Sequence, residues 1–531
     1  MFALAFLLGL YANCIFLLGI ASFLNKTIII AFTIAYIFLA VIFWKKFDDV
    51  IDLVKIKAEL LMHFKKNPVW VLLIFIALSV IFIGILIPET AFDALWYHLT
   101  LPKLYLSFGA IRYIPGGLFY YSTMPKLGEL FYTSALAFGS DTLAHTVHFS
   151  FAILTLIVLY ILSKKYTSSY FALLSVAILL SNIVFMWEAT TAYIDLIRTF
   201  FEVMSLWGML KFLETKKKNW LVEAAILLGL AIESKFVAVA SIPIPLIVIL
   251  FYTKDIVSQK IKNVALFVLL SFLPSLPWLV FSYIHTGNPI YPLFSGYPLH
   301  VGKDVLAFPQ VITDTVTVFI HAADPVSPLY LIFIPLIFLV WKHLKTEERM
   351  FVVLSGVAMI IWTLTPKTGG GRFLLPYLPL LSLTLAVVLY RMPRTKSLIK
   401  ISTYVIFVVF LITIAYRGLA EGRAISVIAG EQSRQDYLAK HLHFSYGDYF
   451  DRDQTIQKIV KDRNVLLYGF HNLYYVDFPF IDSSYVEKGD KFTFVATQNV
   501  RLPQRFAYWT PIYFDSVTNV TLYTVGQEWI Y

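Results

Sequence analysis

Long runs of apolar residues alternate with short polar segments along most of the chain. Runs of about 17 to 25 residues, enough for a helix to cross a bilayer, recur up to about residue 416. We therefore predict about thirteen transmembrane helices, several of them short. Their approximate bounds are 2–23, 28–44, 68–88, 142–162, 169–187, 196–213, 219–232, 237–252, 264–284, 327–341, 350–364, 373–390 and 398–416.

The composition supports a membrane protein. The chain has 531 residues, of which 59% are hydrophobic and 14% charged, whereas soluble proteins are about half apolar and a quarter charged. The net charge of +10 comes from the apolar part, so it does not indicate a nucleic-acid-binding surface. The single cysteine, Cys14, lies in the first apolar run, which excludes a disulfide framework or a cysteine metal site within one chain.

The loops between the predicted helices divide into two sets by their positive charge. Alternate loops carry most of the loop Lys and Arg, among them Lys45, Lys46, Lys164, Lys165 and the run 216–218. Because cationic loops stay in the cytoplasm, an odd number of helices predicts a cytoplasmic N-terminus and an outside C-terminus. The expected location is a prokaryotic cell membrane.

Two longer segments interrupt this pattern, and both are predicted to lie outside. The loop 89–141 contains prolines, glycines and amphipathic stretches, which are typical of helices lying at a membrane interface. The tail 417–531 contains a polar helical stretch and the strand-like runs VLLYGF, KFTFVAT and VTLYTVG. We predict an all-α polytopic membrane domain over 1–416, with outer-face interfacial helices, followed by a small α/β extracytoplasmic domain over 417–531.

Ionisable residues collect at the predicted outer ends of the helices, where burial of charge usually marks a functional site. The segment FDALWYHLTLPK contains Asp93, Tyr97, His98 and Lys103, and YYSTMPKLGE adds Lys126 and Glu129. The other candidates are Asp195 in AYIDL, Lys235 in ESKF and Arg372 in GGGRFLLP. All of these candidates are identified from the sequence pattern.

These motifs, together with GNPIYPLF, resemble the polytopic glycosyltransferases of the C superfamily (the GT-C fold). The closest likeness is to the family 39 group of protein mannosyltransferases and aminoarabinose transferases, over residues of about 90–390 in order. The resemblance implies an inverting transfer of a sugar from a polyprenyl-phosphate donor to a hydroxyl of a lipid, glycan or protein. Membrane lipids are the other expected partners, and nucleic acid is not.

The resemblance also implies roles for individual residues. By position Asp93 is the general base, Asp195 is the second acid, and Lys126 and Lys235 face the lipid phosphate. Tyr97, His98, Lys103, Glu129 and Arg372 are further candidates for substrate binding. Many family members carry Asp-Glu in the first loop, whereas Ala94 follows Asp93 here. This departure counts against a metal role for the first loop; a divalent metal ion stays open as a cofactor, with Asp93, Asp195 and His98 as candidate ligands.

Each candidate also has a structural interpretation. Asp195 could cap the following helix, Lys103 and Lys126 could extend towards lipid headgroups, and Lys235 could pair with Glu233. Arg372 could simply begin a helix. His98 lies five positions after Asp93, about 140° round an α-helix, so both could bind one metal only if that stretch is irregular.

A transporter or flippase of lipid-linked sugars is the alternative function. Transporters often show inverted repeats and ionisable groups near the middle of the membrane, and neither is apparent here. The Trp-Trp-Asp signature of oligosaccharyltransferases is absent, because no two tryptophans adjoin.

Overall fold

The structure is a computed structural model that describes residues 1–44, 53–295, 310–320, 324–365, 367–393 and 396–531. Helices occupy most of the chain, and a five-stranded sheet lies in its carboxy-terminal part. Among the described residues, five helices are long and apolar enough to cross a membrane, or six if one bent pair counts as a single span. This agrees with a polytopic membrane protein.

The first half of the chain forms α1–α12, and shorter 3₁₀ and π segments connect some of them. The helices are α1 (Phe2–Ile20), α2 (Lys26–Trp44), α3 (Leu53–Lys66), α4 (Pro68–Gly84), α5 (Thr100–Phe108), α6 (Leu127–Phe138), α7 (Asp141–Tyr166), α8 (Ser169–Leu180), α9 (Ile183–Glu188), α10 (Asp195–Thr215), α11 (Lys218–Ser234) and α12 (Pro243–Ile247).

The second half continues with helices that become more polar after the last apolar run. They are α13 (Val257–Ser271), α14 (Leu276–Thr286), α15 (Gln310–Ile320), α16 (Leu329–Val340), α17 (Thr346–Leu364), α18 (Leu378–Arg391), α19 (Lys396–Glu421), α20 (Ala424–Ile428), α21 (Arg434–His441) and α22 (Thr455–Val460).

Local sequence explains several helix ends. Pro68 begins α4, where its missing amide hydrogen is not needed. The Ser140 hydroxyl accepts a hydrogen bond from the Leu143 amide and so caps α7. Gly109 ends α5 in the left-handed conformation that glycine adopts readily. Of these, the Ser140 cap fixes where the outer loop re-enters the helical bundle.

Every predicted span coincides with one helix or with consecutive helices, but the number of membrane crossings stays a prediction. The run 237–252 is broken into a 3₁₀ segment, α12 and a π segment. The run 264–284 forms α13 and α14, which meet at a bend of 61°. Proline explains both interruptions, since Pro243, Pro245 and Pro274 remove backbone donors inside apolar runs.

The outer loop 89–141 contains more structure than interfacial helices alone. A π-helical segment covers Ala94–His98, and α5, a 3₁₀ turn at Tyr120–Thr123 and α6 follow. Almost all of α6 is buried, against α1, α2, α5 and α7. The placement of these helices relative to the membrane surface stays a prediction.

The carboxy-terminal part contains the mixed α/β structure expected from its sequence. Its strands are β1 (Val465–Tyr468), β2 (Phe480–Asp482), β3 (Lys491–Gln498), β4 (Thr510–Asp515) and β5 (Val520–Ile530). They pair in the order β2-β1-β3-β5-β4. β1 is parallel to β2 and β3, whereas β5 is antiparallel to β3 and β4. The three strand-like runs recognised in the sequence are β1, β3 and β5.

Polar contacts hold the carboxy-terminal part against the outer loop. Arg434 at the start of α21 binds both carboxylate oxygens of Asp141, at 2.9 and 2.8 Å. The Leu118 amide donates to the Ser484 hydroxyl at 3.1 Å. Gly116 lies so close to this turn that a β-carbon there would be 1.7 Å from the Ser484 carbonyl oxygen. Only glycine is compatible with this approach.

Asp482 lies at the start of the same turn and predicts a pH dependence of stability. Burial raises the pKa of its carboxyl to about 6, above the usual value of about 3.9 in an unfolded chain. The folded state therefore binds the proton more tightly, and stability falls as pH rises from about 4 to about 6.

We expect Asp482→Asn to remove this slope and to stabilise the protein above pH 6 by about 2 kcal/mol. Thermal unfolding followed by intrinsic fluorescence between pH 4 and pH 8 measures the difference from wild type. Asp490→Asn, in the neighbouring turn, is the control and should keep the slope. Parallel pH profiles for Asp482→Asn and wild type would contradict the assignment.

Candidate active site

Asp93 lies where the outer loop turns into the π-helical segment. Its backbone amide donates to the Tyr193 hydroxyl at 3.3 Å. The Asp93 side chain is 16% exposed, so a ligand can reach the carboxylate. The segment that follows is a π-helix. The angle of about 140° between Asp93 and His98, expected for a regular α-helix, therefore does not apply.

Arg372 joins Asp93 to the second predicted acid. Its Nη1 lies 2.7 Å from Asp93 Oδ2, and its Nε lies 4.0 Å from Asp195 Oδ2. The guanidinium also lies over the Tyr193 ring, 4.8 Å from the centroid. Such a planar cation can bind two carboxylates at once, so Arg372 does more than begin a helix.

The glycines before Arg372 serve packing of the chain. A β-carbon on Gly371 would lie 2.0 Å from the backbone oxygen of Asp324. This close approach brings the segment before α16 against the 3₁₀ segment Lys367–Tyr377. The glycine run thus positions Arg372, and Gly371 itself contacts protein backbone.

Asp195 binds Lys235, and the expected pairing of Lys235 with Glu233 is wrong. Lys235 Nζ lies 2.8 and 3.0 Å from the two Asp195 oxygens. Glu233 instead accepts a hydrogen bond from Asn13 at 3.1 Å. Lys235 follows the last residue of α11 in an extended conformation, so successive side chains there leave in different directions. Ile194 is the N-cap residue of α10, and Asp195 lies in the first turn, where the helix dipole favours a carboxylate, while its side-chain hydrogen bonds come from Lys235.

Glu188 is a further acid in this place; it belongs to the ionisable residues at the predicted outer helix ends, but the sequence assigned it no role. It is fully buried, and neither carboxylate oxygen has a hydrogen-bond partner among the described residues. Burial raises its pKa well above the usual value, and the Asp195 charge adds to this effect. Arg372 and Lys235 oppose the shift. Together, Asp93, Glu188, Asp195, Lys235 and Arg372 are called the charged cluster below.

Three other candidates form a separate group around Glu129. His98 Nδ1 lies 2.9 Å from Glu129 Oε1, and Lys126 Nζ lies 3.8 Å from the same oxygen. Lys126 lies over the Tyr97 ring. Burial lowers the pKa of its ammonium group. The His98 and Tyr193 rings lie 5.7 Å apart, so Tyr193 contacts both groups.

The candidate metal ligands do not converge. Asp93 and Asp195 bind Arg372 and Lys235, and His98 binds Glu129. Within the described ranges, no three His, Cys, Asp or Glu side chains are arranged to hold an ion. The donor set present here does not fit a metal site, and we derive no step through a metal.

Lys103 binds the carboxy-terminal part. Its Nζ donates to the backbone oxygens of Tyr474 and Val476 at 2.6 and 2.7 Å, and to Asp477 at 3.1 Å. All three hydrogens of the ammonium group are thereby used. Lys103, which was expected to bind substrate, therefore holds the carboxy-terminal part against the loop.

His148 on α7 holds the segment that carries both buried acids. Its Nδ1 lies 2.8 and 2.9 Å from the backbone oxygens of Glu188 and Thr191, and its Nε2 lies 3.0 Å from the Leu196 amide nitrogen. The carbonyls require a donor at Nδ1 and the amide requires an acceptor at Nε2, so the ring is neutral. His148 thus fixes the backbone on both sides of Asp195.

We expect His148→Ala to destabilise the protein by about 2 kcal/mol or more, because the Thr191 carbonyl and the Leu196 amide lose their hydrogen bonds to the buried ring. Turnover should fall as well, since Asp195 loses its fixed position. Melting temperature and turnover, measured on the same purified samples, test both effects. The control is His285→Ala, because His285 is exposed and its ring contacts a carbonyl of its own helix. Equal behaviour of the two variants would contradict the positioning role.

Comparisons with known proteins bear on this arrangement. A family model described as dolichyl-phosphate-mannose-protein mannosyltransferase matches residues 133–278, which include Asp195 and Lys235. The crystal structure of ArnT from Cupriavidus metallidurans bound to undecaprenyl phosphate is similar, with a TM-score of 0.58, 13% identity, and coverage of 85% of this chain and 97% of that chain. Its apo state gives a TM-score of 0.57 at 12% identity, with the same coverage.

The chain has the fold of ArnT and resembles the family 39-like glycosyltransferases of the C superfamily.

The resemblance drawn from the sequence is thereby confirmed. An oligosaccharyltransferase from Archaeoglobus fulgidus is also similar, with a TM-score of 0.41, 10% identity, and coverage of 79% of this chain and 64% of that chain. No curated protein matches the chain by sequence. The fold shared with ArnT and the apolar helices agree with an integral membrane protein, and its activity and the roles of its charged residues are proposals.

Proposed function

We propose that this protein transfers a sugar from a polyprenyl-phosphate donor to an acceptor hydroxyl. The observation that carries the proposal is the charged cluster, in which Arg372 lies between a partly exposed Asp93 and a buried Asp195, and Lys235 pairs with Asp195. Undecaprenyl phosphate, bound by ArnT, is a lipid phosphate of the kind such cations would recognise.

The chemistry requires one bond to form and one to break. The acceptor oxygen attacks the anomeric carbon of the sugar while the bond from that carbon to the phosphate oxygen breaks. The electron pair of the broken bond stays on the lipid phosphate, and the hydroxyl proton passes to Asp93. Attack on the face opposite the departing phosphate inverts the anomeric configuration.

The cations of the cluster are suited to the charge that develops on the phosphate. Arg372 and Lys235 are held by Asp195 before the donor arrives, so little reorganisation is needed during the reaction. A donor phosphate would compete with Asp93 for Arg372 and so free the Asp93 carboxylate to accept the proton. Donor binding and base activation are thus coupled through Arg372.

The group around Glu129 is proposed to shape the site. His98 and Lys126 neutralise the buried Glu129, while Tyr97 and Tyr193 separate this group from Arg372. We propose that these residues position Asp93 and the substrate rather than take part in proton transfer.

The decisive experiment supplies purified protein in lipid nanodiscs with a panel of polyprenyl-phosphate sugars and with lipid, glycan and protein acceptors. Mass spectrometry should detect a glycosylated product and free polyprenyl phosphate in equal amounts. Donor that crosses sealed vesicles with its sugar intact would instead favour the flippase alternative. Neither product nor donor consumption across the panel would contradict the proposed transfer.

We further propose that the charged cluster and the carboxy-terminal part lie outside the cytoplasm. Cys14 is the single cysteine and can be replaced, so Lys217→Cys and Tyr508→Cys each provide one labelling position. In sealed cells, a membrane-impermeant maleimide should label the cysteine at 508 and not the one at 217, whereas both react after permeabilisation. The reverse pattern would overturn the orientation.

A further inference from the structure

A cleft lies on the other side of the segment that carries Asp93. It has a volume of about 430 Å³ and is bounded by the residues from Gly84 to Phe92, the α9–α10 connection, the end of α19 and the carboxy-terminal residues around His443. Sites for small ligands commonly have about 300 to 1,000 Å³. We propose that this cleft binds the acceptor, and that the part of the acceptor it holds is a neutral carbohydrate. This inference rests on the proposed transfer.

The cleft is continuous with the catalytic segment through two residues. Phe92 lines it and directly precedes Asp93 in the chain. Tyr193 also lines the cleft, and its hydroxyl accepts the hydrogen bond from the Asp93 amide. The Arg372 guanidinium lies over the Tyr193 ring. An acceptor in the cleft therefore lies next to the groups that would activate its hydroxyl.

The aromatic lining suits sugar rings. Phe92, Trp187, Tyr437 and Tyr446 line the cleft in addition to Tyr193. Tyr446 is 68% exposed and Phe92 is 41% exposed, with the Phe92 ring stacked on His471, so both rings retain surface for a ligand. Aromatic faces offer flat apolar surface to the C–H face of a pyranose, while phenolic hydroxyls remain available for hydrogen bonds.

The buried charged groups of the lining are already paired, which favours a neutral ligand over an anion in the inner part of the cleft. Glu89 accepts hydrogen bonds from His145 at 3.0 Å and from the Ala192 amide at 2.7 Å. Arg417 binds Glu421 within α19, whereas Arg423 is exposed and its Nε donates to the Ala420 carbonyl. In the inner part a phosphate would have to displace one of these carboxylates, whereas hydroxyl groups can add to the pairs as donors and acceptors.

One buried donor in the cleft still lacks a partner. Arg417 is 7% exposed, and its Nε hydrogen has no acceptor among the described residues. Because an unpaired buried donor is costly, a polar ligand atom is the partner that would satisfy it. A sugar hydroxyl provides such an atom without adding charge.

The test uses the acceptor that the nanodisc panel identifies. Absence of transfer in that panel contradicts the proposed function, whereas the acceptor site is tested on the active protein. Steady-state kinetics are then measured for wild type, Tyr446→Ala and Arg417→Lys, with the donor saturating. We expect each variant to raise the acceptor KM about tenfold, as for loss of one well-placed contact. The donor KM and the slow hydrolysis of donor by water should not change.

The matched control is Tyr508→Ala, because Tyr508 is 60% exposed in the same part of the chain and does not line the cleft. It should keep the wild-type acceptor KM. Short neutral oligosaccharides of the acceptor should inhibit wild type competitively and inhibit Tyr446→Ala less. An unchanged acceptor KM in both cleft variants would overturn the site. A product that carries the new sugar on a protein side chain or on a phosphate group would overturn the carbohydrate assignment.

Discussion

Replacing Asp93 with asparagine should reduce sugar transfer by about a factor of 1,000 while leaving the fold intact. A positioned general base typically contributes about 100-fold to 10,000-fold. The amide keeps the shape of the carboxylate and can still accept a hydrogen bond from Arg372, but it cannot take the acceptor proton. Arg372 also keeps its attraction to Asp195.

The measurement combines turnover with melting temperature on the same nanodisc samples. Asp436→Asn is the matched control, because Asp436 is an exposed carboxylate that binds Arg452 in the carboxy-terminal part. Both variants should unfold close to the wild-type temperature, and only Asp93→Asn should lose turnover. Full turnover in Asp93→Asn would remove Asp93 from the mechanism.

Replacing Lys235 with methionine should slow transfer about 100-fold to 1,000-fold, the usual effect of removing one preorganised group aimed at developing charge. Methionine retains most of the apolar stem over the Phe373 ring, so the change isolates the charge. Stability should also fall, because Asp195 is fully buried and loses its nearest cation.

A double variant separates these two effects. Lys235→Met with Asp195→Asn removes both charges, and it should recover stability while transfer remains slow. If turnover recovers as well, Lys235 serves only to balance Asp195 and does not act on the donor phosphate. Lys235→Met with Glu233→Gln is the matched control, since Glu233 binds Asn13 and its removal should restore neither property.

The identity of the clustered residues could be predicted from the sequence, but their partners could not. Asp93, Asp195, Lys235 and Arg372 are far apart in the chain, and their shared position at predicted helix ends was enough to group them. The Lys235 partner was missed because Glu233, two positions away, is an obvious neighbour, whereas Asp195 comes from another helix. Glu188 was seen among these ionisable residues but received no role, because its complete burial depends on how α9 packs.

Lys103 shows a second limit of sequence reasoning. A lysine in an amphipathic stretch near the membrane is typical of headgroup contact, yet two backbone oxygens and one carboxylate of the carboxy-terminal part surround it. Backbone acceptors leave no trace in the side-chain pattern. Helix positions, by contrast, follow from apolar length alone, which is why the predicted runs and the observed helices agree.

The contacts of Lys103, Arg434 and Gly116 with their partners also determine how the protein can be divided. Each contact joins the outer loop to the carboxy-terminal part through a buried or closely packed group. Removing the carboxy-terminal part would leave Asp141 and Lys103 without these partners. The two parts should therefore melt in one cooperative transition, and a chimera with a relative must exchange the loop 89–141 together with the carboxy-terminal part.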